Sequence, residues 1–203
     1  MTSVITNGRP IVLGTASPWR QKEMKAMGLA FTAMSPDIDE KAIRHPDPAI
    51  LTLHIAVAKA AALLGRIAEP SLLVTCDQVA VFRGEVREKP ADAGEARRWL
   101  AQYGGTSVVT VTTVVVTDTA TRRSVHGVHA ATAHFAPLPP KAIDRAIARG
   151  MVLNSCGAFT IDDPDLGPYV DGLYGEGDQD ELRSSIAGLP RALTRKLLSR
   201  ILG

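Results

Sequence analysis

Asp77 is the side chain around which this chain's chemistry would gather. It follows a short apolar run, Leu72–Thr75, that reads as a buried strand ending on an acid. In open α/β sheets ligands bind in the crevice outside the strand ends. A carboxylate there can hold a hard cation or take a proton from water. Val79–Phe82 then pairs with Glu85–Arg87 across an Arg83-Gly84 turn, carrying Lys89-Pro90 back toward the acid. Pro90 confines Lys89 to an extended backbone and so aims its ammonium group. The other reading of Asp77 is a helix N-cap, but Gln78–Phe82 is β-like and no capping box follows. Taken alone, Lys89 is an ordinary solvated lysine; its meaning comes from the other groups in the chain.

Those groups are cations, hydroxyls and acids. Ile11–Leu13 reads as a first strand, followed by Gly14-Thr15-Ala16-Ser17-Pro18 and a helix from Trp19 to Met27. Ser17 is a good N-cap and Pro18 suits the first helical position. Free amide groups at such a helix start attract phosphate, Thr15 and Ser17 add hydroxyl donors, and Arg20 adds a fork of N–H donors. A capped structural helix with a surface arginine would look the same. Phe31–Ser35 is a second strand. Pro36–Glu40 gathers three acids in a loop; Asp37 and Asp39 read as solvated, while Glu40 is the best candidate among them for a functional role. Ile50–Glu69 is a long helix with an apolar stripe of Leu51, Ile55, Ala58, Ala62 and Leu63. Lys59 lies beside that stripe between two alanines, where a ligand could come close; snorkelling from the core edge is the alternative.

The remaining elements supply the frame. Asp92–Gln102 is a helix with Trp99 and Leu100 inward, stopped by Gly104-Gly105. Ser107–Thr117 is strongly β, and Ser124–Phe135 returns as its partner. His126 and His129 fall on opposite faces of that strand, so no shared metal is expected, and with His134 they read as surface or rim histidines. Pro139–Arg149 is a helix ending at Gly150. Pro164–Asp180, rich in Gly, Pro and Asp, reads as a loop, Glu181–Ala187 as a helical turn, and Arg191–Leu202 as a final amphipathic helix.

Composition bounds the rest. The chain has 203 residues, 45% of them apolar, enough for a sizeable core in one domain spanning residues 1–203. A net charge of +2 with Lys and Arg spread along the chain argues against a nucleic-acid surface. Two cysteines, Cys76 and Cys156, make neither a disulfide framework nor a zinc site, and a reduced, cytoplasmic setting is expected. Met1–Pro10 shows no basic stretch followed by an apolar one, and no segment approaches the length of a membrane span.

In combination these residues resemble the Maf-like nucleoside triphosphate pyrophosphatases. The similarity runs from Ile11 to Leu202 and is carried by Thr15-Ala16-Ser17-Pro18-Trp19-Arg20, Asp39-Glu40, Ala58-Lys59-Ala60, Asp77-Gln78-Val79, Glu88-Lys89-Pro90, Gly157-Ala158-Phe159 and Gly188-Leu189-Pro190. The resemblance implies an elongated, two-lobed α/β fold: a mixed sheet with flanking helices and a central cleft. It also implies a divalent cation, Mg²⁺ or Mn²⁺, a homodimer, and hydrolysis of a nucleoside triphosphate to the monophosphate and pyrophosphate. A link to arrest of cell division belongs to the family as well. Asp77 matches the family's catalytic acid; Thr15, Arg20, Glu40, Lys59 and Lys89 fall on its other functional positions. Thr15 stands where serine is usual and keeps the hydroxyl. Gln21 stands where many members have a second arginine, which removes one cation.

On that resemblance, Arg20, Lys59 and Lys89 oppose the triphosphate with the amides near Ser17, and Glu40 and Asp77 offer oxygen ligands to the metal. Trp19, Gln78 and Asp162 resemble the branch that acts on 7-methyl-GTP. A 7-methylguanine base is positively charged, and an indole face attracts cations. A carboxylate can accept from both guanine-edge donors, a pair that a pyrimidine lacks. The usual acid there is glutamate followed by glycine; here it is Asp162-Asp163-Pro164, so either aspartate could serve. A pyrimidine-directed member of the family, and a nucleotide-binding regulator of division, are the competing readings.

Overall fold

The structure is a computed structural model that describes residue 6 and residues 8–203; the rest of the opening stretch Met1–Pro10 lies outside the described residues. Two compact units emerge. The first comprises the described residues up to Asp77 together with Thr112–His129 and Gly188–Gly203; the second comprises Gln78–Val111 and Ala130–Ala187. Among the described residues the strands are β1 (Ile11–Gly14), β2 (Thr32–Ala33), β3 (Leu72–Phe82), β4 (Glu85–Arg87), β5 (Ser107–Asp118), β6 (Ser124–Phe135) and β7 (Val170–Gly175). Their order is β2-β1-β3-β5-β6-β7, with β4 paired to β3. The sheet is mixed: β1 runs parallel to β2 and β3, whereas β3–β4 and β6–β7 are antiparallel. This is the expected α/β class.

In the first unit, α1 (Pro18–Ala26) and α6 (Arg191–Leu202) cover one face of the sheet and α2 (Pro48–Leu64) covers the other. The period of two along a strand decides which residue meets which helix. Leu72, Val74 and Cys76 join Met24, Met27, Leu197 and Leu198 in one core; Leu73, one residue out of step, packs with Ala60 and Leu63 of α2. The helix starts follow local rules. Ser17 caps α1 with Pro18 at its first position, and the Asp47 carboxylate caps α2 by accepting from the Ala49 and Ile50 amides.

The second unit is built around an aromatic cluster. Tyr103 lies 5.1 Å from Phe82, 6.0 Å from Phe135 and 6.0 Å from Phe159 between ring centroids. α3 (Ala93–Tyr103), α4 (Pro140–Arg149) and α5 (Gln179–Ile186) contribute Leu100, Ile143 and Leu182 to it. The β3–β4 hairpin forms as expected, Phe82 facing Glu85 and Ala80 facing Arg87. Arg83 and Gly84 both take positive φ (51° and 83°), the backbone of a two-residue turn whose twist suits a hairpin.

Several expected boundaries change. β3 does not stop before Asp77; it continues for 11 residues, because its partner switches from β1 at Leu72–Thr75 to β4 at Ala80–Phe82. The second strand shrinks from 31–35 to Thr32–Ala33, since only two residues find a register on β1. The long helix is Pro48–Leu64 rather than 50–69, begun by Asp47 and ended at Gly65. The glycine-rich 164–180 segment is not all loop: Val170–Gly175 pairs with β6, which supplies the hydrogen bonds its composition alone would not promise. His129 is buried rather than surface, whereas His126 is exposed and His134 bonds Asp171 at 2.5 Å.

Asp118, at the end of β5, provides a stability test. Arg9 sits 2.5 Å from its carboxylate, and the Thr121 hydroxyl and Ala120 amide donate at 2.9 and 3.0 Å. Those donors, Arg9 foremost, hold its pKa down to about 2 against the opposing effect of burial. An unfolded aspartate titrates near ~3.9, so between the two values the folded chain binds fewer protons than the unfolded one. Asp118 therefore contributes its full stabilisation above about pH 4 and loses it as the pH falls toward 2. Asp118→Asn is expected to flatten the acid limb of a Tm-against-pH curve in that window and to leave the shape above pH 5 unchanged.

Candidate active site

In the first unit, β1, α1, α2, β3 and the turn at Glu40–Ala42 bring Thr15, Ser17, Arg20, Glu40, Lys59 and Asp77 into one polar neighbourhood. Asp77 faces α2 because it is in step with Leu73 and Thr75 along β3. The Lys59 Nζ meets it at 2.7 Å and reaches the Glu40 carboxylate at 3.1 Å. Its third acceptor is the Cys76 carbonyl, at 3.4 Å. The same carbonyl accepts from the Arg20 guanidinium at 3.0 Å. Lys59 is only 3% exposed and Asp77 5%, so the snorkelling alternative is corrected: the lysine lies in the buried face of α2, level with Ile55, Ala56 and Leu63. Glu40 is the open edge of the set, with a half-exposed side chain.

Thr15 and Ser17 shape the start of α1. The Thr15 hydroxyl accepts from the Ser17 amide at 3.0 Å, and the Ser17 hydroxyl accepts from the Arg20 amide at 3.4 Å. Trp19 is half-buried and outside the hydrophobic cores, with the Lys22 ammonium 5.6 Å from its ring centroid. The core-aromatic reading of Trp19 therefore falls away.

The other expected residues belong to the second unit. Gln78 follows Asp77 on β3, and its amide is held at both ends: Nε2 donates to the Ser185 carbonyl at 2.6 Å and Oε1 accepts from the Cys156 thiol at 3.0 Å. Lys89 is exposed, in the bend after β4. Asp162 is exposed too, whereas Asp163 is 1% exposed. Asp163 accepts from the Asp165 and Leu166 amides at 2.9 and 3.1 Å and so braces its own turn.

The Maf-like protein family model matches residues 10–201, almost the entire chain. The chain belongs to the Maf-like family. A protein from Dictyostelium discoideum named 7-methyl-GTP pyrophosphatase is 40% identical over 200 residues, covering 95% of this chain and 98% of that one. A Salinispora tropica protein named nucleoside triphosphate pyrophosphatase is 34% identical over 196 residues, covering 94% and 83%. A Pelotomaculum thermopropionicum protein named dTTP/UTP pyrophosphatase is 31% identical over 192 residues, covering 95% and 96%.

Electrostatics sharpen the site of this Maf-like chain. Burial pushes the Asp77 carboxyl above the usual carboxylate range, while Lys59 and Arg20 pull it back. Burial likewise pushes the Cys76 thiol up, so it stays a neutral, unreactive neighbour. Among the described residues no group of three or more His, Cys, Asp or Glu side chains gathers into a metal cage. Two hard carboxylates, Glu40 and Asp77, do converge on one ammonium. That donor set suits a small hard cation that completes its shell with water and phosphate oxygens. No described helix is long and apolar enough to cross a membrane.

Sequence reasoning overlooked two parts of this neighbourhood in the Maf-like chain. One is the Cys76 carbonyl, which joins Arg20 to Lys59 and, being backbone, leaves no mark in residue type. The other is Thr75, read only as a strand residue. Its β-branched hydroxyl inside an otherwise aliphatic run was the available signal.

Proposed function

We propose that this chain hydrolyses a nucleoside triphosphate to the monophosphate and pyrophosphate, and that 7-methyl-GTP is its preferred substrate. The observation that carries the reading is a buried carboxylate, Asp77, held beside Lys59 and close to Arg20 in a protein of this family. Arg20, with Thr15, Ser17 and the amides of the α1 start, binds phosphate oxygens, and Lys59, its N–H donors directed at Asp77, Glu40 and the Cys76 carbonyl, adds positive charge that offsets the charge developing on the leaving pyrophosphate. Lys89, in the second unit, is proposed as a further phosphate-binding cation. Asp77 takes the proton of the water that attacks the α-phosphorus. Its raised pKa makes it a stronger base than an exposed aspartate, and Lys59 keeps it oriented. A divalent cation, Mg²⁺ or Mn²⁺, held by Glu40 and Asp77 would supply Lewis-acid neutralisation of phosphate charge. A reduced cytoplasmic setting and a homodimer belong to the same proposal.

As specificity residues the proposal names Trp19 of the first unit, for its indole face, and, in the second unit, Asp162 for its carboxylate and Gln78 for an amide fixed at both ends. The name and 40% identity of the Dictyostelium protein support 7-methyl-GTP over the pyrimidine substrates named for the relative at 31%. The test is pyrophosphate release across 7-methyl-GTP, GTP, UTP and dTTP. The expected result is a kcat/KM for 7-methyl-GTP at least tenfold above the others. Trp19→Ala should reduce it about 5- to 30-fold while sparing UTP, from a cation–π contribution of about 1–2 kcal/mol. Turnover of UTP or dTTP as fast as 7-methyl-GTP would overturn the substrate assignment. Nucleotide binding with no pyrophosphate release from any of the four would favour a regulator.

A further inference from the structure

We infer that Thr75 is a positioning residue whose hydroxyl fixes the approach of α2 to β3 and thereby the Lys59–Asp77 pair. The inference rests on the reading of Asp77 as proton acceptor given above. Thr75 donates its hydroxyl to the Ala56 carbonyl at 2.8 Å, and both residues are fully buried. Thr75 lies two residues before Asp77 on the same face of β3, and Ala56 lies three before Lys59 on the buried face of α2. The hydrogen bond and the ion pair are therefore successive rungs between the same two elements, the second at 2.7 Å.

The other side of Thr75 is seated just as firmly. A Cβ built on Gly14 would stand 2.6 Å from the Thr75 Cγ2 and 2.7 Å from the Leu63 Cδ1, so β1 approaches both through a residue with no side chain. The methyl of Thr75 thus faces Gly14 of β1, while its hydroxyl is turned to the Ala56 carbonyl of α2. A helical carbonyl has a second lone pair to receive it. Lysine carries its ammonium on a flexible four-carbon stem, so where that charge sits depends on where the helix is anchored. The Thr75 hydroxyl, bonded to α2 three residues before Lys59, is a directional anchor between α2 and β3 that does not depend on the lysine itself.

The test separates shape from hydroxyl. Thr75→Val keeps the volume and removes only the hydroxyl; Thr75→Ser keeps the hydroxyl and removes the methyl. Two readouts are taken on the full chain, kcat and KM for the preferred triphosphate and the rate at which acetic anhydride labels the Lys59 amine, read by mass spectrometry. In T75V we expect kcat to fall about tenfold or more with KM changed less than about threefold, as a misplaced catalytic pair requires. Lys59 labelling should rise at least threefold. T75S should stay within about threefold of wild type in kcat and label like wild type, even though it has lost more packing. A purely structural role would give the opposite order, with T75S the more damaged. Wild-type labelling of Lys59 in T75V overturns the inference. If the wild-type chain releases no pyrophosphate, the proposed function fails while the labelling still decides the inference. Should T75V not fold, Thr75→Ala is read by the same two measurements with the same expectations.

Discussion

Asp77→Asn is expected to cut pyrophosphate release by about 10²–10³-fold, the scale on which a single reacting acid–base or electrostatic group acts. The substitution keeps the shape of the side chain. Its Oδ1 can still accept from Lys59, and Lys59 keeps its 3.1 Å contact with Glu40. What is lost is the charge and the ability to take a proton, in a site where burial has already made the carboxyl a better base than usual. The loss should therefore appear in kcat, with the circular dichroism spectrum unchanged. Activity within threefold of wild type would remove Asp77 from the chemistry and with it the proposed mechanism.

Lys59→Met should damage both stability and activity. The Lys59 and Asp77 side chains are 4% and 7% exposed, so removing the ammonium leaves a buried carboxylate facing Glu40 with its main counter-charge gone. Breaking a buried pair by deleting one partner typically costs about 3–5 kcal/mol, or roughly 6–20 °C in Tm for a chain of this size. The deficit has a pH signature. Without Lys59 the Asp77 pKa rises further, so the folded chain binds more protons than the unfolded one, and stability falls as the pH rises. The Tm loss should be larger at pH 8 than at pH 5. Adding Asp77→Asn to Lys59→Met should restore most of the lost stability and none of the activity, because the uncompensated charge has gone while the chemistry has not returned. Additive losses in the double variant would show that the two side chains do not act as a pair.

Much of this fold follows from short-range rules and was legible for that reason. Ser17-Pro18 begins α1, Arg83-Gly84 turns a hairpin, and the apolar residues of 191–202 repeat at helical spacing and form α6 with those bounds. The Asp77, Lys59, Glu40 and Arg20 set was likewise named from residue type and family resemblance. Their burial was not. Lys59 sits in an alanine-rich stretch whose face could be chosen either way, and only packing on Leu73 and Val12 decided that it points inward. β7 was missed because Gly172 and Gly175 lower its intrinsic strand preference, and pairing with β6 outweighs that preference.

By itself, the sequence determined the family and the locally encoded elements: the Maf-like model matches residues 10–201, Ser17-Pro18 starts a helix and Arg83-Gly84 turns a hairpin, while hydroxyls at a helix start, separated cations and an acid after an apolar run supply the residue types on which the proposed chemistry is built. The tertiary structure alone decided that β3 runs on through Asp77, that Thr75 and Asp77 share the α2 face, and that one backbone carbonyl joins Arg20 to Lys59. The physical reason is that strand continuation, helix facing and carbonyl acceptors are settled by partners distant in the chain. No residue type encodes them locally.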